Sequence, residues 1–355
     1  MNQENISKLE QSIENMKNKA NRIYFLVQDT KGNAKGSVRH IYKMAMSLKE
    51  SGYNSIILHE KPDYHGVAEW LGEQYMTELS HVAIEGSNLE VAPEDLIIVP
   101  ELYGFIMEQI KKLPCGKVVL CQSYDYIFDT LNPGDTWPRL GFHKCITTSE
   151  RQKEWINNVM KNVSVEVIEP TISDVFVKPE LPPKTIINVH TRDHRDTTNL
   201  IKAFYSRFPQ YRWFTFRDLR GLSEEEFAER MKDSFVSVWV DNISAYGTFP
   251  LESMKMGVPV IGVVPNMVPE WMNENNGIWI NNQNMIVDVI ADYIQNWLED
   301  NINVELYEKG IETSNQFNDR DKFEKSVIGL FESYLKVRKE TFETQLEKIK
   351  VTEEN

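Results

Sequence analysis

The segment Asp241 to Gly262, DNISAYGTFPLESMKMGVPVIG, carries the most pointed chemistry in the chain. An apolar strand ends at Val240, a polar loop runs to Tyr246 and Gly247, and a helix opens at Thr248 with Pro250 in its first turn. Proline costs little there, because first-turn N–H groups have no intrahelical partner. Those free N–H groups and the helix dipole make an anion site. Gly247 lets a ligand approach the backbone. Glu252, one turn in, can accept a ligand hydroxyl; as a first-turn acid it equally complements the dipole. Arg192 and Arg195 follow the strand Thr185–His190 on the same rim. They can meet a phosphate or form surface ion pairs with Asp193 and Asp196.

The first half of the chain offers weaker candidates. Cys121–Tyr126 (CQSYDY) leaves a strand, with Gln122, Ser123 and Asp125 just beyond it. Asp125 can bind a substrate hydroxyl or cap a turn, and Glu101 in PELYG stands in a similar place. His40 lies inside a helix, where a packed or surface histidine is the commoner role. The loop from Gly32 to Gly36 is not G-x-G-x-x-G, so a dinucleotide site is unsupported. No H-E-x-x-H, G-x-S-x-G or P-loop pattern occurs. The seven histidines lack ligand spacing, which speaks against zinc.

Composition excludes whole classes. The 355 residues carry 39 Lys+Arg against 53 Asp+Glu, a net charge of −14. That balance disfavours a nucleic-acid binder, which needs a basic face; contact with a membrane surface through a local basic patch stays open. The longest apolar runs, such as Val258–Val264, fall far short of the ~20 residues of a membrane helix. The first twenty residues lack the apolar stretch of a secretory signal. Cys115, Cys121 and Cys145 form no disulfide framework and read as reduced thiols of a cytoplasmic protein.

The elements that must position these residues alternate. Ile6, Leu9, Ile13, Met16 and Ala20 stripe an amphipathic helix over 1–20, expected to pack on the domain. Strands are expected at Arg22–Gln28, Tyr53–His59, Asp95–Val99, Lys117–Gln122, Lys144–Thr148 and Val165–Ile168, with helices between them. Pro170, Pro179, Pro182 and Pro183 mark 170–184 as a linker. The pattern restarts with strands at Thr185–His190, Tyr211–Phe216, Phe235–Val240, Val258–Val264 and Ile278–Ile280. Ser223 and Glu226 form a capping-box pattern. The expected architecture is α/β: a Rossmann-like domain at 21–169, a second at 185–317, and a helix with a charged, solvated tail at 318–355. Such sheets bind ligands at the carboxyl ends of their strands.

The run YGTFPLESMKMGVPVIG resembles the donor-site signature of GT-B nucleotide-sugar glycosyltransferases, especially retaining family four, whose usual form is E-G-F-G-x-x-x-x-E-A-M-A-x-G-x-P-V-I. Lys144–Ser149, VEVIEPTISDVFVKP, RDHRDTTNLIKAF, GLSEEEFAERM and Asn276-Gly277 also fit in order, so the similarity covers most of 22–335. The resemblance implies a cytoplasmic enzyme with the GT-B fold. It would transfer a sugar from a nucleotide diphosphate to a hydroxyl of a glycan or glycolipid in polysaccharide assembly, retaining and without a metal or other cofactor. It implies donor contacts at Gly247, Thr248, Phe249 and Glu252, phosphate contacts from Arg192 and Arg195, and a glycine loop at Gly32–Gly36. Arg192, Arg195, Ser244 and Asp125 are then the catalytic candidates, and Glu101, Gln122 and Ser123, by their places after strands, the acceptor-side ones. Glu252 would hold the ribose hydroxyls.

Two departures stand out. Ser244 replaces the family's first glutamate, with Asp241 a substitute acid, and the second domain is short after YRWFTF, leaving Arg217 as a replacement contact for the nucleotide. The Ser244 exchange supports an alternative, a catalytically inactive GT-B-like protein that binds a nucleotide sugar or a partner. A sugar-nucleotide epimerase of similar fold is a third reading, discriminated by turnover without an acceptor.

Overall fold

In the computed structural model, the described residues are 2–354 except 88, 181 and 182. Of the expected domain limits, Met1, Asn355 and the linker's Leu181 and Pro182 lie outside them. The chain divides into two compact units: Met1–Thr147, Lys153–Ile168 and Asp321–Asn355 form unit 1, and Thr148–Gln152 and Glu169–Arg320 form unit 2.

Unit 1 contains the helix α1 (Asn2–Lys17), then β1 (Arg22–Leu26), α2 (Gly36–Glu50), β2 (Asn54–His59), the short α3 (Ala68–Leu71) and α4 (Gln74–Thr77), and β3 (Ser80–Ala83). There follow β4 (Leu96–Pro100), α5 (Gly104–Ile110), β5 (Gly116–Cys121), β6 (Lys144–Thr147), α6 (Glu150–Val159), whose first three residues belong to unit 2, and β7 (Ser164–Val167). The seven strands are all parallel, in the order β3-β2-β1-β4-β5-β6-β7. Runs such as RIYFL and LIIVP are apolar throughout because both faces of a parallel sheet are covered. Strand order reverses between β1 and β4, which makes their carboxyl ends the natural ligand crevice of this unit.

Unit 2 contains β8 (Ile186–Thr191), α7 (His194–Arg207), β9 (Thr215–Asp218), α8 (Glu224–Met231), β10 (Val236–Val240), α9 (Thr248–Lys255), β11 (Val260–Val263), β12 (Ile278–Ile280), α10 (Ile286–Leu298) and α11 (Val304–Asn315). Its five strands run parallel in the order β12-β11-β10-β8-β9, so the switch point falls between β8 and β10. Ser223 and Glu226 form the expected capping box on α8.

Three expectations change. The last helix, α12 (Arg320–Glu354), is not a separate solvated tail. Phe323, Val327, Phe331 and Tyr334 are buried in the unit 1 core, and Phe342 packs with Ile13 and Met16 of α1. Lys and Glu dominate only its outer face. The 170–184 segment is largely part of unit 2: Ile172 and Phe176 are buried there, and Phe176 meets Phe227 edge-on at 5.6 Å. The strand expected at Tyr211–Phe216 starts at Thr215, because Pro209–Tyr211 form a 3-10 turn.

Candidate functional site

The site in unit 2 is built at the switch point. Thr191 at the end of β8 pairs with Val240 at the end of β10, so the residues that follow each strand emerge side by side. Arg192 and Asp241 meet there, with Arg192 Nη1 3.2 Å from Asp241 Oδ1. The same Asp241 oxygen accepts the backbone N–H groups of Ile243 (3.0 Å) and Ser244 (3.2 Å). Asp241 therefore shapes the loop as well as holding Arg192. Ser244 Oγ, in place of the carboxylate the resemblance would put there, accepts the Gly247 N–H at 3.1 Å.

Gly247 is the N-cap of α9, with a left-handed φ of +74°. A Cβ on it would lie 3.1 Å from Trp271 and 3.2 Å from Trp239. The glycine is required by its backbone angle and by two indoles packed over it. Trp271 is itself fixed by its indole N–H, which donates to the Tyr246 carbonyl at 2.7 Å. No side chain caps α9. Thr248 is half-buried at its first position, Phe249 is buried, and Glu252 is buried one turn in. The helix thus presents uncapped amides with a buried carboxylate behind them.

His190, which sequence reading passed over as strand interior, belongs to this site. Its ring stacks on Phe249 with centroids 4.8 Å apart. Burial holds its pKa below the usual value, against the opposing pull of Asp241 and Asp218. The imidazole is therefore neutral at pH 7. Arg220 is the second omission: its Nε donates to Asp218 Oδ1 at 3.0 Å and its Nη2 contacts His194 Nδ1 at 2.7 Å. Arg217 pairs in register with Asn188 and so shares the His190 face of the sheet, while Asp218 pairs with Val189 at the end of β9. Arg217 donates to Asp233 at 3.1 Å and to the Arg230 carbonyl at the end of α8. Arg195 is 86% exposed and pairs with Asp193, whose side chain also accepts the Arg195 backbone N–H as the N-cap of α7.

Unit 1 gathers most of its candidates at the carboxyl ends of β4 and β5. Glu101, 2% exposed, accepts the Ser123 N–H at 2.8 Å. Burial raises its pKa to about 7, opposed by backbone hydrogen bonds. Gln122 Nε2 donates to the carbonyl of Ser37, in the first turn of α2, so it stands beside Gly36, the exposed first residue of that helix. Asp125 sits partly buried in the 3-10 turn Tyr124–Tyr126. The glycine loop is shaped locally: Asp29 accepts the Lys31 N–H at 2.8 Å, and Gly32 has φ +77°. His40 is a packed histidine, 5.7 Å from the Phe323 ring, with burial lowering its pKa to about 3.

Among the described residues, no helix is long and apolar enough to cross a membrane. No protein-family model matches the chain. It is 21% identical over 208 residues to the alpha-1,6-glucosyltransferase of Actinobacillus pleuropneumoniae serotype 7 (strain AP76), a match spanning 54% of this chain and 63% of that protein, less than two thirds of its length. Among solved structures, the sucrose-phosphate synthase of Thermosynechococcus elongatus aligns with 89% of this chain and 100% of its own, at a TM-score of 0.63 and 12% identity. HepE of Anabaena, solved in complex with UDP-glucose, aligns with 88% of this chain and 99% of its own, at a TM-score of 0.61 and 11% identity. At such identities the likeness speaks for architecture: the chain has the GT-B fold, two doubly wound Rossmann-like units, and its structural neighbours are GT-B glycosyltransferases.

Proposed function

We propose that the chain is a glycosyltransferase that moves a sugar from a nucleotide diphosphate to a hydroxyl of a glycan or glycolipid acceptor, in the cytoplasm and in polysaccharide assembly. One observation carries this reading most: the Arg192–Asp241 pair stands at the switch point of unit 2, beside the uncapped helix α9 with its buried Glu252. The diphosphate lies on the amides of Thr248 and Phe249, facing Arg192, with the exposed Arg195 as a second cation. Glu252 holds the ribose hydroxyls. The acceptor-side candidates Glu101, Gln122, Ser123 and Asp125 lie in unit 1, where Gly36 opens α2.

The reaction is retaining and needs no metal in this reading. The bond from the anomeric carbon to the diphosphate oxygen breaks, and the acceptor oxygen bonds to that carbon on the same face. The acceptor proton passes to the departing diphosphate oxygen. The negative charge that develops is met by fixed cations and amides, which need no reorganisation during the reaction. Neutral His190, stacked under Phe249, fixes the start of α9.

Incubating the full chain with a panel of nucleotide sugars, beginning with UDP-glucose because HepE binds it, tests this. Donor hydrolysis or transfer supports the enzyme. Saturable binding without turnover selects the second reading, an inactive GT-B-like binding protein. That reading is favoured by Ser244, whose hydroxyl is engaged by the Gly247 N–H. No binding of any nucleotide sugar overturns both.

A further inference from the structure

Unit 2 contains a groove of about 620 Å³ outside the edge strand β12, walled by the segment after β11, by α10 and by the turn into α11. Its size is that of a small-ligand site. Its lining holds no lysine, arginine or histidine, and its one charge is the exposed carboxylate of Glu274. Five exposed asparagines line it; the side chains of Asn273 and Asn303 are hydrogen-bonded to the backbone, while those of Asn281, Asn296 and Asn301 take no hydrogen bond from the described residues. Trp279 forms an apolar wall held in place by its indole N–H, which donates to the Asn273 carbonyl at 2.8 Å.

This combination narrows the ligand. An anion would meet a carboxylate and no cation. A wholly apolar ligand would strip water from three amides and return no hydrogen bonds, which is costly. A neutral polyol fits both surfaces. Each amide offers donors and an acceptor side by side, matching adjacent hydroxyls, and the C–H face of a pyranose ring can lie on an indole. We propose that the groove is a binding site for a neutral oligosaccharide. This goes beyond the sugar-transfer reading and does not depend on it. The groove is separated from α9 by the tryptophan pair: Trp279 meets Trp271 at 5.7 Å, and Trp271 packs on Gly247.

The test uses the full chain with maltotriose, isomaltotriose and cellotriose, and 3′-sialyllactose as the charged comparator. Tryptophan fluorescence and saturation-transfer NMR report binding. At least one neutral trisaccharide is expected to bind saturably and more tightly than sialyllactose. The double variant Asn296→Ala/Asn301→Ala should weaken it about tenfold or more, as expected for two lost hydrogen-bonding amides. All three amides are exposed, so the fold should persist. An unchanged thermal midpoint and UDP-induced thermal shift check this, with Asn281→Ala as an independent variant. Absence of saturable binding, preference for the charged sugar, or binding that all these variants leave intact overturns the proposal. A chain that fails to bind UDP yet binds the trisaccharide through these residues rejects only the transfer reading.

Discussion

Arg192 and Asp241 lie 3.2 Å apart at the ends of the neighbouring strands β8 and β10, where the strand order of unit 2 reverses. A guanidinium placed there is 41% exposed on one side and neutralised on the other. Its exposed side can meet a phosphate while the other side stays paired with the buried Asp241. Arg192→Ala is expected to weaken UDP binding roughly ten- to hundredfold, the range for one charged hydrogen-bonding contact. Because Asp241 is buried and keeps only its backbone N–H partners among the described residues, stability should also fall, by about 1–3 kcal/mol. Calorimetric titration alongside urea unfolding reads both; UDP affinity equal to wild type would remove Arg192 from the site.

In the proposed reading Glu252 holds the ribose hydroxyls, and it is buried behind the first turn of α9. Because a buried carboxylate also has packing consequences, Glu252→Gln is the cleaner variant. It keeps the shape and loses the charge. Wild type should prefer UDP over its 2′-deoxy analogue, and the variant should lose most of that preference, about tenfold. Preference retained in the variant would place the hydroxyls elsewhere.

Gly247→Ala joins two penalties. The side chain must adopt φ +74° and press against Trp271 and Trp239 at 3.1–3.2 Å. The expected loss is about 1–3 kcal/mol of stability, read by urea denaturation, together with weaker UDP binding. A variant as stable as wild type would contradict the packing described here.

Glu101 makes the stability of unit 1 depend on pH. Its folded pKa of about 7 lies above the usual carboxylate value, so between about 4.5 and 7 the folded state binds the extra proton. Stability from this group is therefore present at acid pH and is lost as pH rises through 7, by up to a few kcal/mol. Glu101→Gln, which still accepts the Ser123 N–H, should flatten that decline between pH 5 and 8. Unfolding curves across this range measure it, and an unchanged slope would refute the assignment.

The strands of both sheets were largely legible because two-sided burial writes them as short apolar runs, such as VSVWV. β3 was not, since SHVA is a half-buried edge strand with no such run. The helix α9 and its approach were legible from Gly247, Pro250 and Glu252, which are local signals. His190 and Arg220 were not. Their significance lies in a ring stack with Phe249 and a contact with His194, both made across elements. The partners of Arg217, Asp233 and the Arg230 carbonyl, are also set across elements, beyond the reach of a local sequence signal. The docking of α12 is likewise a long-range fact. Its charged outer face reads as solvated, while Phe323, Val327 and Phe331 on the other face find their partners some three hundred residues upstream.

That late partnership sets an order on synthesis. Phe331 lies 5.8 Å from Phe25, so β1 waits for α12, some three hundred residues later, before its surroundings are complete. Unit 2, though it comes later in the chain, has all its residues available sooner. A nascent chain stopped after Arg320 would hold a finished second unit and a first one with a greasy trough along its sheet, an open invitation to chaperones.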